Sequence, residues 1–319
     1  MDKIVHIGYH KTGTTFLQDV LFPKHPEIHY VDRMTTQKYF LRVGSLFFDA
    51  DKVKNEIKTL ENSVDNGKKA LVFSDEELSG HIHTGGNGGY LSKEVADRIH
   101  QVMPDAKIMI NVRNQVKMID SVYRQYIKKG GTFSVEKYLF NNNGLPHRQP
   151  RFQFAHFEYD RLVEYYINLF GRENVFVYLY EDFKQDKSFY NDMLEEMGLS
   201  SIDNIKKMSS DIKNPSYSEF SLAVAKYFNR FYGEDPINRR CIVHIPYLYK
   251  IVKKLLFNYE LKVRKKSPGS VLDEDTKHYI EDYYRESNRR LMELIAQDVT
   301  RYHYPVSHTS TNVGELVHQ

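Results

Sequence analysis

Lys11, Thr12, Thr14 and Thr15 fall inside the run GYHKTGTT (residues 8–15), which also carries Gly8 and Gly13. One cation and three hydroxyls on a glycine-containing loop form a composition suited to holding an oxyanion. The flanking residues say how the loop would be presented. KIVHIG (3–8) is a short β-branched strand ending in Gly, and TTFLQDVLF (14–22) has helical apolar spacing. A strand that turns through such a loop into a helix aims loop N–H groups and the positive end of the helix dipole at one spot. That spot suits phosphate or sulfate.

The glycine spacing and terminal hydroxyl match the nucleotide-binding P-loop, G-x-x-x-x-G-K-[ST], but Thr14 stands where that motif has lysine. The lysine lies three positions earlier, at Lys11, which points to a terminal group other than the γ-phosphate. The run H-K-T-G-T-T-x-L (10–17) resembles the 5′-phosphosulfate loop of sulfotransferases that use 3′-phosphoadenosine 5′-phosphosulfate (PAPS). His10 departs from the proline usual at its position. The resemblance implies that His10, Lys11, Thr12, Gly13, Thr14 and Thr15 bind the donor, whose spent form is adenosine 3′,5′-bisphosphate. It also implies that Lys11 is catalytic.

Two further sites follow strands. NVRNQVKMIDSVYRQY (111–126) places Arg113 at a strand end and Ser121 about two helical turns on, so a guanidinium and a hydroxyl can meet on one phosphate. In the resembled family such a pair holds the 3′-phosphate. The strand KALVFS (69–74) ends in DEELSG (75–80), where a carboxylate would sit beside the donor loop as a general base. The family's Ser-x-Glu maps to Ser74 and Glu76, making Glu76 the first choice, with Glu77, Asp75, His81 and His83 in reserve. Two histidines without a third ligand do not make a metal site, and no metal is expected. YYRESNRRL (283–291) is similar to a family segment and implies donor contacts from Ser287 and Asn288. Arg285, Arg289 and Arg290 fit a solvated helix face equally well. The basic loop VRKKSPG (263–269) is another candidate to approach the nucleotide, and KNPSYSEF (213–220) is family-like without an assignable role.

The elements that must position these residues are legible. Helical patterns cover 51–64, 91–103 and 115–129, further strands cover 106–112 and 174–180, and a helix spans about 159–170. Residues 141–152 read as a loop. From about 216 onward the pattern is helical, and 304–319 reads as a loose tail. Strands alternating with helices predict an α/β fold with a mostly parallel sheet flanked by helices, the P-loop-like sulfotransferase architecture, with a helical C-terminal part. One domain over 1–303 is expected. Ligands in such folds sit at the carboxyl ends of the strands.

Composition bounds the rest. The 319 residues carry 27% charged and 41% apolar side chains, ordinary for a globular chain, and a net charge of +3 that gives no case for nucleic acid. The one cysteine, Cys241, excludes an internal disulfide and is expected to be an incidental thiol. A strand opening at Lys3 and the lack of any apolar run near 20 residues predict a cytoplasmic protein without a membrane span. YLYKIVKKLLFNYELKVRKK (247–266) suits either a core-facing helix with solvated lysines or a peripheral membrane helix. Two functional rivals stand beside the sulfotransferase reading. One is a kinase or NTPase with Asp75 on magnesium; the other is a non-catalytic module binding anions or glycans, with sulfated glycans held through Lys253 to Lys266. The expected acceptor is a hydroxyl, of a carbohydrate or glycolipid first, with a small metabolite or peptide tyrosine also open.

Overall fold

The computed structural model of the chain describes residues 1–83, 90–140, 152–203, 205–210, 216–232, 241–263 and 269–307. Its centre is a five-stranded sheet, every pairing parallel, in the order β2-β3-β1-β4-β5. The strands are β1 Asp2–His6, β2 Ile28–Val31, β3 Ala70–Ser74, β4 Lys107–Val112 and β5 Val175–Leu179. The expected α/β architecture is therefore present. β2, IHYV, is an addition: its two central residues are half-exposed at the sheet edge, so it lacks the continuous apolar run that reveals a central strand.

Side chains along each strand alternate between two cores. Val5, Phe73, Ile108 and Val177 belong to one, whereas Ile4, Val72, Met109 and Tyr178 belong to the other. Two buried faces explain why β1, β3 and β4 are apolar almost throughout. Helices Ala50–Ser63, Tyr90–Val102, Gln115–Lys128 and Tyr159–Phe170 stand where periodicity placed them, within one residue at each end.

β1 is flanked by β3 and β4, and chain order reverses there, so the carboxyl ends of these strands surround a crevice. The pairing continues past β1, with Tyr9 N–H donating to Asn111 O at 2.7 Å and Asn111 N–H to Gly8 O at 2.6 Å. This sews the residues after β1 to β4.

The C-terminal part is helical, with Glu219–Phe228, Leu248–Val263 and Glu274–Ile295. Arg124 ties it to the sheet domain through Tyr217 O and Gly269 O, both at 2.5 Å, while its Nε holds Asp120 at 2.6 Å. The packed chain runs beyond 303: Tyr304 is buried and its hydroxyl donates to Glu181 at 3.1 Å. Residues 308–319, with most of 263–269 and 141–152, lie outside the described residues. Leu248–Val263 buries Leu256 against the core but exposes Ile251, Leu255 and Tyr259, so neither simple account of this helix covers all its apolar residues. Among the described residues no helix is long and apolar enough to cross a membrane. Cys241 is a free, half-buried thiol.

Candidate functional site

The residues after β1, β3, β4 and β5 converge on one cleft of about 1060 Å³. His10, Lys11 and Gly13–Thr15 come from the first crossover, Glu76 and Glu77 from the end of β3, Arg113 from β4 and Tyr180 from β5. The lining carries eleven Lys and Arg against three Asp and Glu, so the cleft selects anions.

The loop's shape follows from two left-handed residues, Lys11 at φ 63° and Gly13 at φ 88°. Such turns gather successive N–H groups into an anion-binding concavity. Glycine takes that conformation freely, whereas Lys11 pays about 1–2 kcal/mol for it, a strain that marks a functional position. The helix begins at Thr14, with Gly13 as its cap, and runs as abutting pieces Thr14–Phe16, Leu17–Leu21 and Phe22–Lys24, the middle one a π turn. Thr14 and Thr15 line the cleft, but Thr12 is buried and donates to Tyr9 O, shaping the loop from inside.

Lys11 Nζ donates to Gln125 Oε1 at 3.1 Å. Burial first, then the charges of Lys128 and Arg113, pulls its ammonium down to about 8, although Glu76 opposes the shift. Arg113 donates to Lys11 O at 3.1 Å and lies 5.0 Å from the Tyr180 ring centroid, so β4 and the anion loop are joined at the site. Ser121 lines the same cleft from the Gln115–Lys128 helix.

The four residues at the end of β3 divide their tasks. Asp75 is fully buried and its oxygens are occupied: Arg33 donates from Nε at 3.2 Å and NH2 at 3.0 Å, Gln37 at 2.7 Å and Glu77 N–H at 2.9 Å. Asp75 is thus a structural anchor that caps the turn Glu76–Ser79. Glu76 faces the cleft, with Gln18 Nε2 on Oε2 at 2.9 Å and Arg33 NH2 on Oε1 at 3.1 Å. Gln18 also reaches Ser74 Oγ at 3.2 Å, and His6 Nδ1 lies 2.7 Å from that hydroxyl. Burial drops His6 to about 3 despite nearby Asp75, so it is neutral there. Glu77 pairs with His10 Nε2 at 3.2 Å; burial alone would lift its carboxyl, but the bond from His10 and nearby charges bring it below the usual value. His83 meets Tyr138 Oη at 2.6 Å, and burial holds it well below the ordinary histidine value. Among the described residues no three His, Cys, Asp or Glu groups converge as metal ligands.

Gly8 fits this end of the sheet because a Cβ there would lie 2.9 Å from Glu76 Cα, at φ 94°. Gly8→Ala is expected to cost about 1–3 kcal/mol, lowering the melting temperature and displacing the cleft-facing Glu76. Thermal unfolding checks this, and an unchanged melting temperature would show that the contact relaxes freely.

The candidates on the Glu274–Ile295 helix, Ser287 and Asn288 with Arg285, Arg289 and Arg290, do not line the cleft, whereas Ser216 and Gly269 from the other two C-terminal candidates do. Ser287 is buried against Asp160, and Asn288 exchanges bonds of 2.7 and 3.1 Å with Gln115 and donates to Pro305 O at 2.9 Å. Arg285 pairs with Asp282, Arg289 with Glu286 and Glu293, and Arg290 with Asp160. Ser287, Asn288 and Arg290 thus lock this helix onto its neighbours, while Arg285 and Arg289 pair within it. Asn288→Ala is expected to cost about 1–3 kcal/mol, because it strands buried partners, while ligand affinity of the folded protein stays within twofold. Denaturant melts and calorimetry separate the two effects.

Gln18, Arg33 and Gln125 were not singled out from sequence. Gln18 stands one turn after Thr14, so i,i+4 spacing was a usable signal. Gln125 stands at the same spacing from Ser121, whereas nothing local ties Arg33 to the site.

Comparison with solved structures gives the fold's relatives. The sulfotransferase of Alicyclobacillus acidocaldarius is 18% identical, over 95% of this chain and 98% of that one, with a TM-score of 0.57. This is a sulfotransferase-like fold. Mouse sulfotransferase SULT7A1, solved with PAP, is 16% identical over 94% and 86% of the two chains, with a TM-score of 0.47. No protein-family model matches, and none of the curated proteins is similar in sequence.

Proposed function

We propose that the protein transfers a sulfuryl group from PAPS to an acceptor hydroxyl, of a carbohydrate or glycolipid. The observation that carries this reading is the pairing, across one cleft, of a strained anion loop bearing Lys11 with the cleft-facing carboxylate of Glu76. The donor's phosphosulfate would lie on the loop N–H groups, Lys11 and the Thr14 and Thr15 hydroxyls, with its 3′-phosphate toward Arg113 and Ser121.

The acceptor oxygen attacks sulfur in line. Its proton passes to Glu76, the bond from sulfur to the bridging oxygen breaks, and the electron pair stays on the departing 5′-phosphate. Lys11 and the loop dipoles stabilise that developing charge. A metal-dependent NTPase is disfavoured by Asp75, the carboxylate at the expected magnesium position, because Arg33 and Gln37 already occupy it.

The test is heat stabilisation in the presence of a chelator. Adenosine 3′,5′-bisphosphate at about 100 times its Kd is expected to add roughly 2.7 kcal/mol. Stabilisation by magnesium ATP instead, with hydrolysis, would overturn the reading.

A further inference from the structure

The Gln115–Lys128 helix serves as a ruler for the cleft. Ser121, Gln125 and Lys128 line it at four- and three-residue spacing, hence from one face, rising about 1.5 Å per residue. Gln125 receives Lys11 Nζ, so it marks the point of transfer. Ser121 lies one turn to the donor side. Lys128 lies about one turn to the other side, with Lys129 beyond it.

Lys253, from Leu248–Val263, lines the same cleft as this pair. Burial, then Lys253 and Lys129, lowers the Lys128 ammonium; burial, then Lys129, lowers Lys253. The positions are braced, with Lys128 Nζ 5.6 Å from the Tyr217 ring centroid and Lys253 Nζ 5.5 Å from that of Tyr249. Among the described residues, no carboxylate lies within ion-pair distance of Lys129 or Lys253. The three lysines line the same cleft as Lys11, Glu76 and His83. Three ammonium groups held together repel one another, and a bound anion relieves that repulsion.

We propose that Lys128, Lys129 and Lys253 form an anion subsite on the acceptor side, so that the acceptor is an acidic saccharide carrying a carboxylate or sulfate ester near the reacting hydroxyl. This rests on the sulfuryl-transfer reading and narrows its acceptor. The donor's own phosphates have their partners on the loop and at Arg113 and Ser121, on the far side of Gln125.

The test uses the full chain saturated with adenosine 3′,5′-bisphosphate, titrated calorimetrically with three hexasaccharides: a uronate, a sulfated one of equal charge and a neutral one. The acidic probes are expected to bind at least tenfold more tightly than the neutral one, with affinity falling as salt rises. The double variant Lys129→Gln, Lys253→Gln is expected to weaken them tenfold or more while bisphosphate affinity stays within twofold. Both side chains reach solvent, and either single variant serves if the double one misfolds. The better of the two acidic probes distinguishes carboxylate from sulfate ester. Equal binding of acidic and neutral probes, or acidic binding unaltered by the variants, overturns the subsite. Failure of the bisphosphate to bind the wild type overturns the sulfuryl-transfer reading instead, and the same titrations on the chain alone still report on the lysines through the variants.

Discussion

Lys11→Met is expected to lower sulfuryl-transfer turnover about 10²–10³-fold, the usual effect of removing one group that stabilises developing oxyanion charge. Its melting temperature at pH 7 should be unchanged or higher. The second half follows from linkage. Lys11 titrates near 8 in the fold, against 10.5 for an ordinary lysine, with burial the main cause. Between those values the unfolded chain holds a proton that the folded chain has released, so stability rises with pH across the window and is lowest below it. Methionine removes the buried charge and keeps the stem. A donor anion does the reverse, drawing the proton back onto Lys11, so binding of adenosine 3′,5′-bisphosphate near pH 8.5 should be accompanied by proton uptake. Calorimetry in buffers of different ionisation enthalpy measures that uptake. Its absence in wild type, or its persistence in Lys11→Met, would remove Lys11 from the donor site.

The anion loop was legible because its signal is local. Strand, glycines, hydroxyls and helix follow one another within twenty residues, and each has a conformational reason to be there. Arg113 was legible for the same reason: it directly follows an apolar strand, and strand ends are where ligands sit. Ser287 and Asn288 show where that logic stops. They entered through likeness to a family segment and not through a local chemical reason, and in the structure their partners are Asp160, Gln115 and the backbone of Pro305. Sequence shows that a polar residue needs a partner without showing whether that partner is a ligand or another helix. β2 escaped for a different reason: an edge strand of four residues with two half-exposed positions has neither length nor a clean period. Lys253 stood out as one end of a basic run, but its meeting with Lys129 did not, because the two lie more than a hundred residues apart and the packed C-terminal helices bring them together.

Glu76→Gln is expected to reduce turnover about 10²–10⁴-fold with little change in affinity for adenosine 3′,5′-bisphosphate. The amide keeps the side chain's shape and can still bond Arg33 or Gln18 through its oxygen, but it has no basic site for the acceptor proton. Glu77→Gln should act differently. Glu77 is engaged by His10 at 3.2 Å, so its loss frees His10 beside the anion loop and should raise the donor's KM more than it lowers kcat. Asp75→Asn should do neither and instead destabilise the fold, because Arg33 loses its buried bidentate partner. Three neighbouring carboxylates thus have three distinct signatures, separable by kcat, KM and melting temperature. Glu76 alone combines a face on the cleft, a position near Lys11 and two partners that orient its carboxylate, Arg33 on Oε1 and the neutral Gln18 on Oε2. If Glu76→Gln turned over at the wild-type rate while Glu77→Gln did not, the proton acceptor would be Glu77, and His10 would be its orienting partner.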